Sequence, residues 1–498
     1  MNKTRNLGAL AAALLAGACT VGPNYHARDL PVPATFAEPQ AQMPGADIDP
    51  AQWWTGFGDP QLETLVQRAL KNSPDMAIAA SRVRQARLSE VSARGVGRPT
   101  IDATANATHI ELSKNSGISS IAQLFSGGSG GGGSSGGGSN SGGVALPGSG
   151  ITTYALGFDA SWELDIFGGG RRQVEGAVAR TSAAVWNQRD AAVTLAAEVA
   201  QAYFSLRLDQ NQIAIVTDEI ARENRALAIS GHIATAGLVP QSDVTRQRGT
   251  LTALEARLEP LKADVRVRVH ALGILIGEAP ETIGAELTAA PSKPLGLPGV
   301  PAGLPSDLLR RRPDIRAAER NLAAATADIG VAVADLYPKF QLTGLGELLS
   351  TALGNLFSKD SLQATATGGI NFPLLDWGRR RATVAIRKEQ AEEAYARYKA
   401  TVLGALRDVE DPLARLDAER RRNDTLRRAV QDQESTARSI EARYRTGFVA
   451  QDELLNAQVN VLSAREQVAT SDMQLREDTA SLFKAIGGGW NETMPAMP

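Results

Sequence analysis

Between Thr153 and Asp165 apolar and polar residues alternate one for one. Tyr154, Leu156, Phe158, Ala160, Trp162 and Leu164 share one face of an extended strand, and Thr153, Ala155, Gly157, Asp159, Ser161, Glu163 and Asp165 share the other. The same period of two returns where Leu362, Ala364, Ala366, Gly368, Ile370 and Phe372 alternate with Gln363, Thr365, Thr367, Gly369 and Asn371. Weaker strands of similar length are predicted at Thr100–His109 and Phe340–Leu349. Strands of roughly 9–11 residues with one apolar and one polar face suit a transmembrane β-barrel, and each taken alone also suits a soluble sandwich. Four strands do not close a membrane barrel, whose smallest examples have about eight, so spanning strands here would belong to a barrel shared between subunits.

The rest of the pattern is helical. From Leu62 to Arg94 the stripe Leu65, Ala69, Met76, Val83 and Ala86 predicts a helix. No proline occurs between Arg171 and Val239, a stretch rich in Ala, Val, Leu, Gln and Arg. Fully helical, Gly168–Gly237 would reach roughly 100 Å at about 1.5 Å per residue. Gly237 with Pro240, and Gly447 in the matching place, mark tips where the chain turns back into return helices that run through Ile276 and Ile486. Pro412 interrupts the second long arm where the first has Ala202, which predicts a kink in that arm alone.

These elements occur twice. Moving Gly168–Gly277 by 210 residues lays it on Gly378–Gly487 without a gap, with Gly237 on Gly447, Gln241 on Gln451 and Ile276 on Ile486. Upstream, Pro74-Asp75 and Pro99 match Pro313-Asp314 and Pro338 at a shift of 239. The difference falls between Pro99 and Gly168, where the Gly/Ser tract Ser126–Gly143 has nothing to bury and reads as a flexible loop between the strands of the first copy. The chain therefore divides into a signal peptide (1–18), an N-terminal segment (19–60), a first repeat (61–277), a Pro- and Gly-rich linker expected to pack around the middle of the helices (278–305), a second repeat (306–487) and a tail (488–498).

Lys3 and Arg5 precede an apolar run from Leu7 to Leu15 and then Leu15-Ala16-Gly17-Ala18-Cys19, a bacterial signal peptide with a lipobox-like end. Cys19 is the only cysteine, so the sequence predicts a lipidated N-terminus and no disulfide. No other stretch reaches ~18 apolar residues, the length of a spanning helix. Removing Lys3 and Arg5 takes the formal charge from −2 to −4, which gives no sign of nucleic-acid binding. His26, His109, His232 and His270 lack metal-ligand spacing, and no nucleophile triad, phosphate loop or paired-cysteine motif is visible. No enzyme, cofactor or metal is expected.

Signal, lipobox, duplicated strand–arm units and tip glycines together resemble the TolC-like outer-membrane factors, and the lipobox points to their OprM-type efflux lipoproteins. The landmarks are Trp53-Trp54 with Phe57 and Asp59-Pro60, the run Leu304-Pro305-Ser306-Asp307-Leu308-Leu309-Arg310-Arg311-Arg312-Pro313-Asp314-Ile315, and Tyr444-Arg445-Thr446-Gly447 ahead of Leu454-Leu455-Asn456-Ala457-Gln458. The resemblance implies a mainly α fold with a transmembrane β part. Three subunits of four strands each would form a 12-strand β-barrel in the outer membrane, continued by a 12-helix periplasmic α-barrel. It implies the exit duct of a tripartite RND efflux pump conferring antibiotic resistance, with a periplasmic membrane-fusion adaptor, an inner-membrane RND transporter and outer-membrane lipid as partners. A type I secretion duct shares the fold, and a lipid-anchored coiled-coil scaffold would need no pore.

In TolC-like proteins an acidic constriction follows the second tip glycine. Matched residue by residue, its positions fall on Glu453 and Asn456, with Asp452 adjacent and Asp243 as the first copy's acid. Asparagine at 456 leaves one of the expected charges missing. Repeated by three-fold symmetry, such acids would favour cations, and they also suit the positive start of a solvated helix. Arg443, Tyr444 and Arg445 are candidates to hold a closed tip through interhelical bonds. The tips Gly237-Leu238 and Gly447-Phe448 are candidate adaptor contacts.

Overall fold

The computed structural model describes residues 20–28, 30–38, 48–111, 150–237, 239–287, 295–300 and 305–490. After a 3₁₀ stretch at Pro50–Phe57 come α1 (Pro60–Asn72), α2 (Pro74–Gly95), β1 (Thr100–Glu111), β2 (Gly150–Leu164), α3 (Gly169–Thr235) and α4 (Gln241–Ile276). Then follow α5 (Pro280–Leu287), α6 (Pro305–Arg311), α7 (Pro313–Ala334), β3 (Lys339–Ser350), β4 (Leu362–Asn371), α8 (Arg379–Arg445) and α9 (Gln451–Ala485). Two compact units draw on these elements: one from residues within 1–24, 91–175 and 326–388, the other from the remainder.

The first unit is built on an antiparallel sheet in the order β1-β2-β3-β4. The registers Ala103↔Phe158, Phe158↔Gly346 and Leu342↔Gly368 put directly opposed residues on the same face. One face therefore gathers Ile101, Ala103 and Ala105, then Leu156, Phe158, Ala160 and Trp162, then Phe340 and Leu342, then Leu362, Ala364, Ala366 and Ile370. The opposite face carries Asp102, Thr104 and Asn106, then Asp159, Ser161 and Glu163, then Gln341, Thr343 and Glu347, then Gln363, Thr365 and Thr367. Apolar side chains on the first face stand uncovered in the single chain, Phe158 at 63 % exposure.

Aromatic contacts gather at the end of the sheet where β2 finishes. Phe167 stacks on Tyr337 with ring centroids 4.6 Å apart, and Trp162 donates its indole N–H to the Gly97 carbonyl at 3.1 Å. The N-terminal strap is held there too: the buried Arg172 guanidinium donates to the Val21 and Gly22 carbonyls and to Asn24. Gly22 has φ +88°, and a Cβ on it would lie 2.5 Å from the Gly330 Cα, so this close crossing requires glycine.

In the second unit, Trp53, Phe57, Leu62, Leu65, Tyr203, Phe204, Leu272, Ile276 and Phe483 are fully buried in one core. Trp53 stacks on Phe483 at 5.4 Å, and Phe57 packs on Phe204 at 4.8 Å. Burying such a side chain contributes roughly 1.5–3 kcal/mol, which explains why the Trp-Trp-x-x-Phe landmark sits between the arms. Arg312 of the arginine run is largely covered and bridges three elements. It donates to Asp314 at 2.6 Å, to Asp408 of α8 at 3.2 Å and to the Ala485 carbonyl of α9 at 2.9 Å. Along α8, Arg28 pairs with Glu392 at 2.7 Å, and the Ala37 and Glu38 amides donate to Glu410.

Two expectations change. The helix expected from Leu62 to Arg94 is two helices, because Ser73 precedes a proline and takes the extended φ −58°, ψ 135° that this position favours. Part of the linker is the helix α5, which buries Ile283 and Leu287 against the core. Pro412 lies inside the helical span of α8, and Pro260 lies inside the return helix α4.

Candidate functional site

At the tip joining α8 to α9, Gly447 takes φ +78°, its amide donates to the Tyr444 carbonyl and the Phe448 amide donates to Arg443. This paired closure ends the helix and leaves Phe448 pointing into solvent at 78 % exposure. Gly237 has φ +71° at the equivalent tip. A Cβ at either glycine would meet open space, so φ alone demands glycine at both positions. Leu238 lies outside the described residues, as do Cys19, the signal peptide, the Ser126–Gly143 tract and residues 491–498.

Asp452 and Glu453 stand in the first turn of α9, where the positive helix end favours carboxylates. Glu453 is 48 % exposed and lies 4.0 Å from the Arg443 guanidinium, a pair spanning the tip. Asn456 is exposed on the same helix. Asp243, which duplication places on Glu453, is 26 % exposed and faces Arg246 one turn on at 3.7 Å. Of the three residues expected to hold the tip, Arg443 reaches across to α9 within this chain. Arg445 pairs with Glu441 on its own helix at 2.5 Å, because the i−4 carboxylate lies nearer than any on α9.

A buried polar chain beside the tip was not foreseen. Gln451 Nε2 donates to Gln247 Oε1 at 2.9 Å, and Gln247 Nε2 donates to Glu223 Oε2 at 3.4 Å. All three side chains are buried, so the chain ties α9 to α4 and α4 to α3. Burial pushes the Glu223 carboxyl above its usual range, and neighbouring Glu219 adds to the shift. The equivalence of Gln241 and Gln451 was visible in the sequence, but only tertiary packing reveals what Gln451 meets. Among the described residues no group of three or more His, Cys, Asp or Glu is placed to hold a metal, and no helix is long and apolar enough to cross a membrane.

A sheet that bares an apolar face, with long helical hairpins ending in glycine tips, defines a class: the outer-membrane channel components. The chain belongs to the outer membrane efflux protein family, whose model matches residues 65–278 and 304–488. It is 29 % identical to the antibiotic efflux pump outer membrane protein ArpC of Pseudomonas putida, covering 98 % of this chain and 96 % of that one. It is also 29 % identical to nodulation protein T of Rhizobium leguminosarum bv. viciae, over 99 % and 95 % of the two chains. The solved outer-membrane channel OprN superposes with a TM-score of 0.82 at 30 % identity, covering 95 % of this chain and all of that one.

Proposed function

We propose that three copies of this chain form the outer-membrane exit duct of a tripartite RND-type efflux pump. The carrying observation is the sheet: its apolar face is continuous across all four strands, while its other face is mostly polar, with Leu345 and Leu349 among the exceptions. In a closed barrel the first face meets lipid and the second lines water. Twelve strands from three chains meet the requirement for closure that four cannot. An inner-membrane RND transporter supplies the energy, and a periplasmic adaptor engages the tips at Gly237, Leu238, Gly447 and Phe448. The duct itself holds no cofactor and does no chemistry. Glu453, with Asp452, Asn456 and Asp243, borders the periplasmic opening. The Arg443–Glu453 pair contributes only ~0–1 kcal/mol, so a partner can open such a tip at little cost.

Lipidation at Cys19 fits this arrangement. Thr20, the next residue, packs against Gly168 just beyond β2, at the aromatic end of the sheet. Relatives at equal identity carry names as different as antibiotic efflux and nodulation, so membership of the family does not fix the cargo. Purified protein reconstituted in planar bilayers should give discrete conductance steps, and its gene should restore drug efflux to a strain lacking its own duct. A protein that inserts stably but never conducts would overturn the reading. Labelling with a palmitate analogue should be lost in Cys19→Ala.

A further inference from the structure

The buried chain Gln451–Gln247–Glu223 ends on an acid, and an acid can hold it in two charge states. Glu223 is 1 % exposed, Gln247 3 % and Gln451 5 %, so water reaches none of them freely. The chain runs one way: Gln451 donates to Gln247 at 2.9 Å and Gln247 donates to Glu223 at 3.4 Å. An amide both donates and accepts, an ionised carboxylate only accepts, and a neutral carboxyl also donates. Ionised, Glu223 holds its charge out of water on that one long side-chain bond. Neutral, its O–H can donate to Gln247 Oε1 once both amides turn over, and the chain persists without a buried charge.

The charged groups around Glu223 favour its neutral form. On α3, Glu219 lies one turn before it and repels a second negative charge. Arg222 is the cation beside it, but its guanidinium is held by Glu219 at 2.7 Å. From α4, Gln247 is the group that reaches Glu223, while Asp243 and Arg246 pair with each other at 3.7 Å. From α9, Gln451 closes the chain, while Asp452 is exposed and Glu453 faces Arg443 across the tip. From α8, Glu434, Arg438 and Glu441 share a cavity with Glu219 and Arg222 rather than with Glu223.

Resting on the duct reading above, we propose that Glu223 is a proton-operated latch joining the first helical hairpin to the second beside the periplasmic opening. Gln451 is the first residue of α9 and follows the tip glycine Gly447 closely, so a change in the chain is felt at the tip. Protonated, Glu223 keeps α3, α4 and α9 tied and the tip narrow. Ionised, it favours movement of α4 and α9 off α3, which lets water reach the charge and loosens the tip. The sign follows from burial. A carboxyl raised in the folded protein loses its proton as pH climbs past the ordinary carboxylate range, and the tie weakens over that interval.

Two readouts across a series of pH values test the latch, and one of them needs no conduction. In hydrogen exchange of the full chain in lipid, corrected for the intrinsic effect of pH, the amides of α4 and α9 nearest the tip should lose protection as pH rises. The loss should be about tenfold for every pH unit that separates the buried carboxyl from an ordinary one. In planar bilayers the conductance should rise over the same interval. Glu223→Gln, which keeps the shape without the charge, should hold high protection and low conductance throughout. Glu453→Ala should keep the pH dependence, because that carboxylate is no part of the buried chain. A Glu223→Gln variant that follows the parent at every pH would overturn the latch, as would loss of the pH dependence in Glu453→Ala. A chain that never conducts, yet loses tip protection with pH in the parent and not in Glu223→Gln, would remove the duct and leave the latch standing.

Discussion

Glu453 and Asp243 are equivalent in the duplication yet differ in freedom. Glu453 is the more exposed and meets its arginine at 4.0 Å, while Asp243 is held at 3.7 Å by Arg246 on its own helix. Glu453→Ala should therefore weaken block by divalent cations added on the periplasmic side and alter cation selectivity. Asp243→Ala should act less, and neither should affect trimer formation. Single-channel recording decides this, and unchanged block in Glu453→Ala would return that acid to the solvated surface. Glu223 makes a different prediction. Its folded-state pKa is raised by burial, so ionisation weakens the fold as pH climbs from the ordinary carboxylate value through the raised one. Glu223→Gln keeps the acceptor for Gln247 and removes that penalty. The variant should melt higher than the parent at neutral pH, and the gain should vanish below the ordinary carboxylate pKa. Heat-denaturation scans across pH would reveal an opposite trend. Glu453 was legible because helix starts and tip glycines are local features. Glu223, Gln247 and Gln451 were not, since their meeting depends on how three helices pack, with Gln247 and Gln451 more than 200 residues apart in sequence.

Strands were the best-read elements, because a period of two needs no tertiary information. All four overlap the stretches where alternation placed them, with β1 and β3 extended by up to two residues and β2 begun three residues earlier. The weaker readings failed where local rules compete. Pro74 served as a landmark of the repeat while its effect on Ser73 went unused, and the eight residues of α5 are too few to show a helical stripe against a Pro- and Gly-rich background. Close approach within the sheet is likewise invisible from the letters. A Cβ on Gly157 would come within 2.4 Å of the Glu347 Cβ, whereas one on Gly344 would find 3.9 Å of room. Gly157→Ala should thus cost about 1–3 kcal/mol through strain in the β2–β3 pairing, with Gly344→Ala much milder. The loss of folded, heat-modifiable protein on gels measures both, and equal effects would show that the strands separate freely.

For the whole molecule, three sheets closed into one barrel as proposed would turn their polar faces inward, and there the charges are unbalanced. Asp102 and Asp159 stand directly opposite each other, Glu347 lies nearby, and Lys339 is shared between Asp335 at 3.0 Å and Glu163 at 3.7 Å. Like charges set opposite each other destabilise a sheet unless cations attend them. The duct should prefer cations, and Asp102→Asn with Asp159→Asn should reduce that preference in reversal-potential measurements under a salt gradient. An unaltered reversal potential would place selectivity elsewhere along the tunnel. The equality of the two hairpin registers reaches beyond transport. Residues 112–149 separate β1 from β2 and residues 351–361 separate β3 from β4, yet both hairpins pair identically. Register is set by the faces of the strands and not by what joins them. The first connection is thus free to vary, so a peptide spliced into the Gly/Ser tract should be displayed at the cell surface without disturbing the barrel.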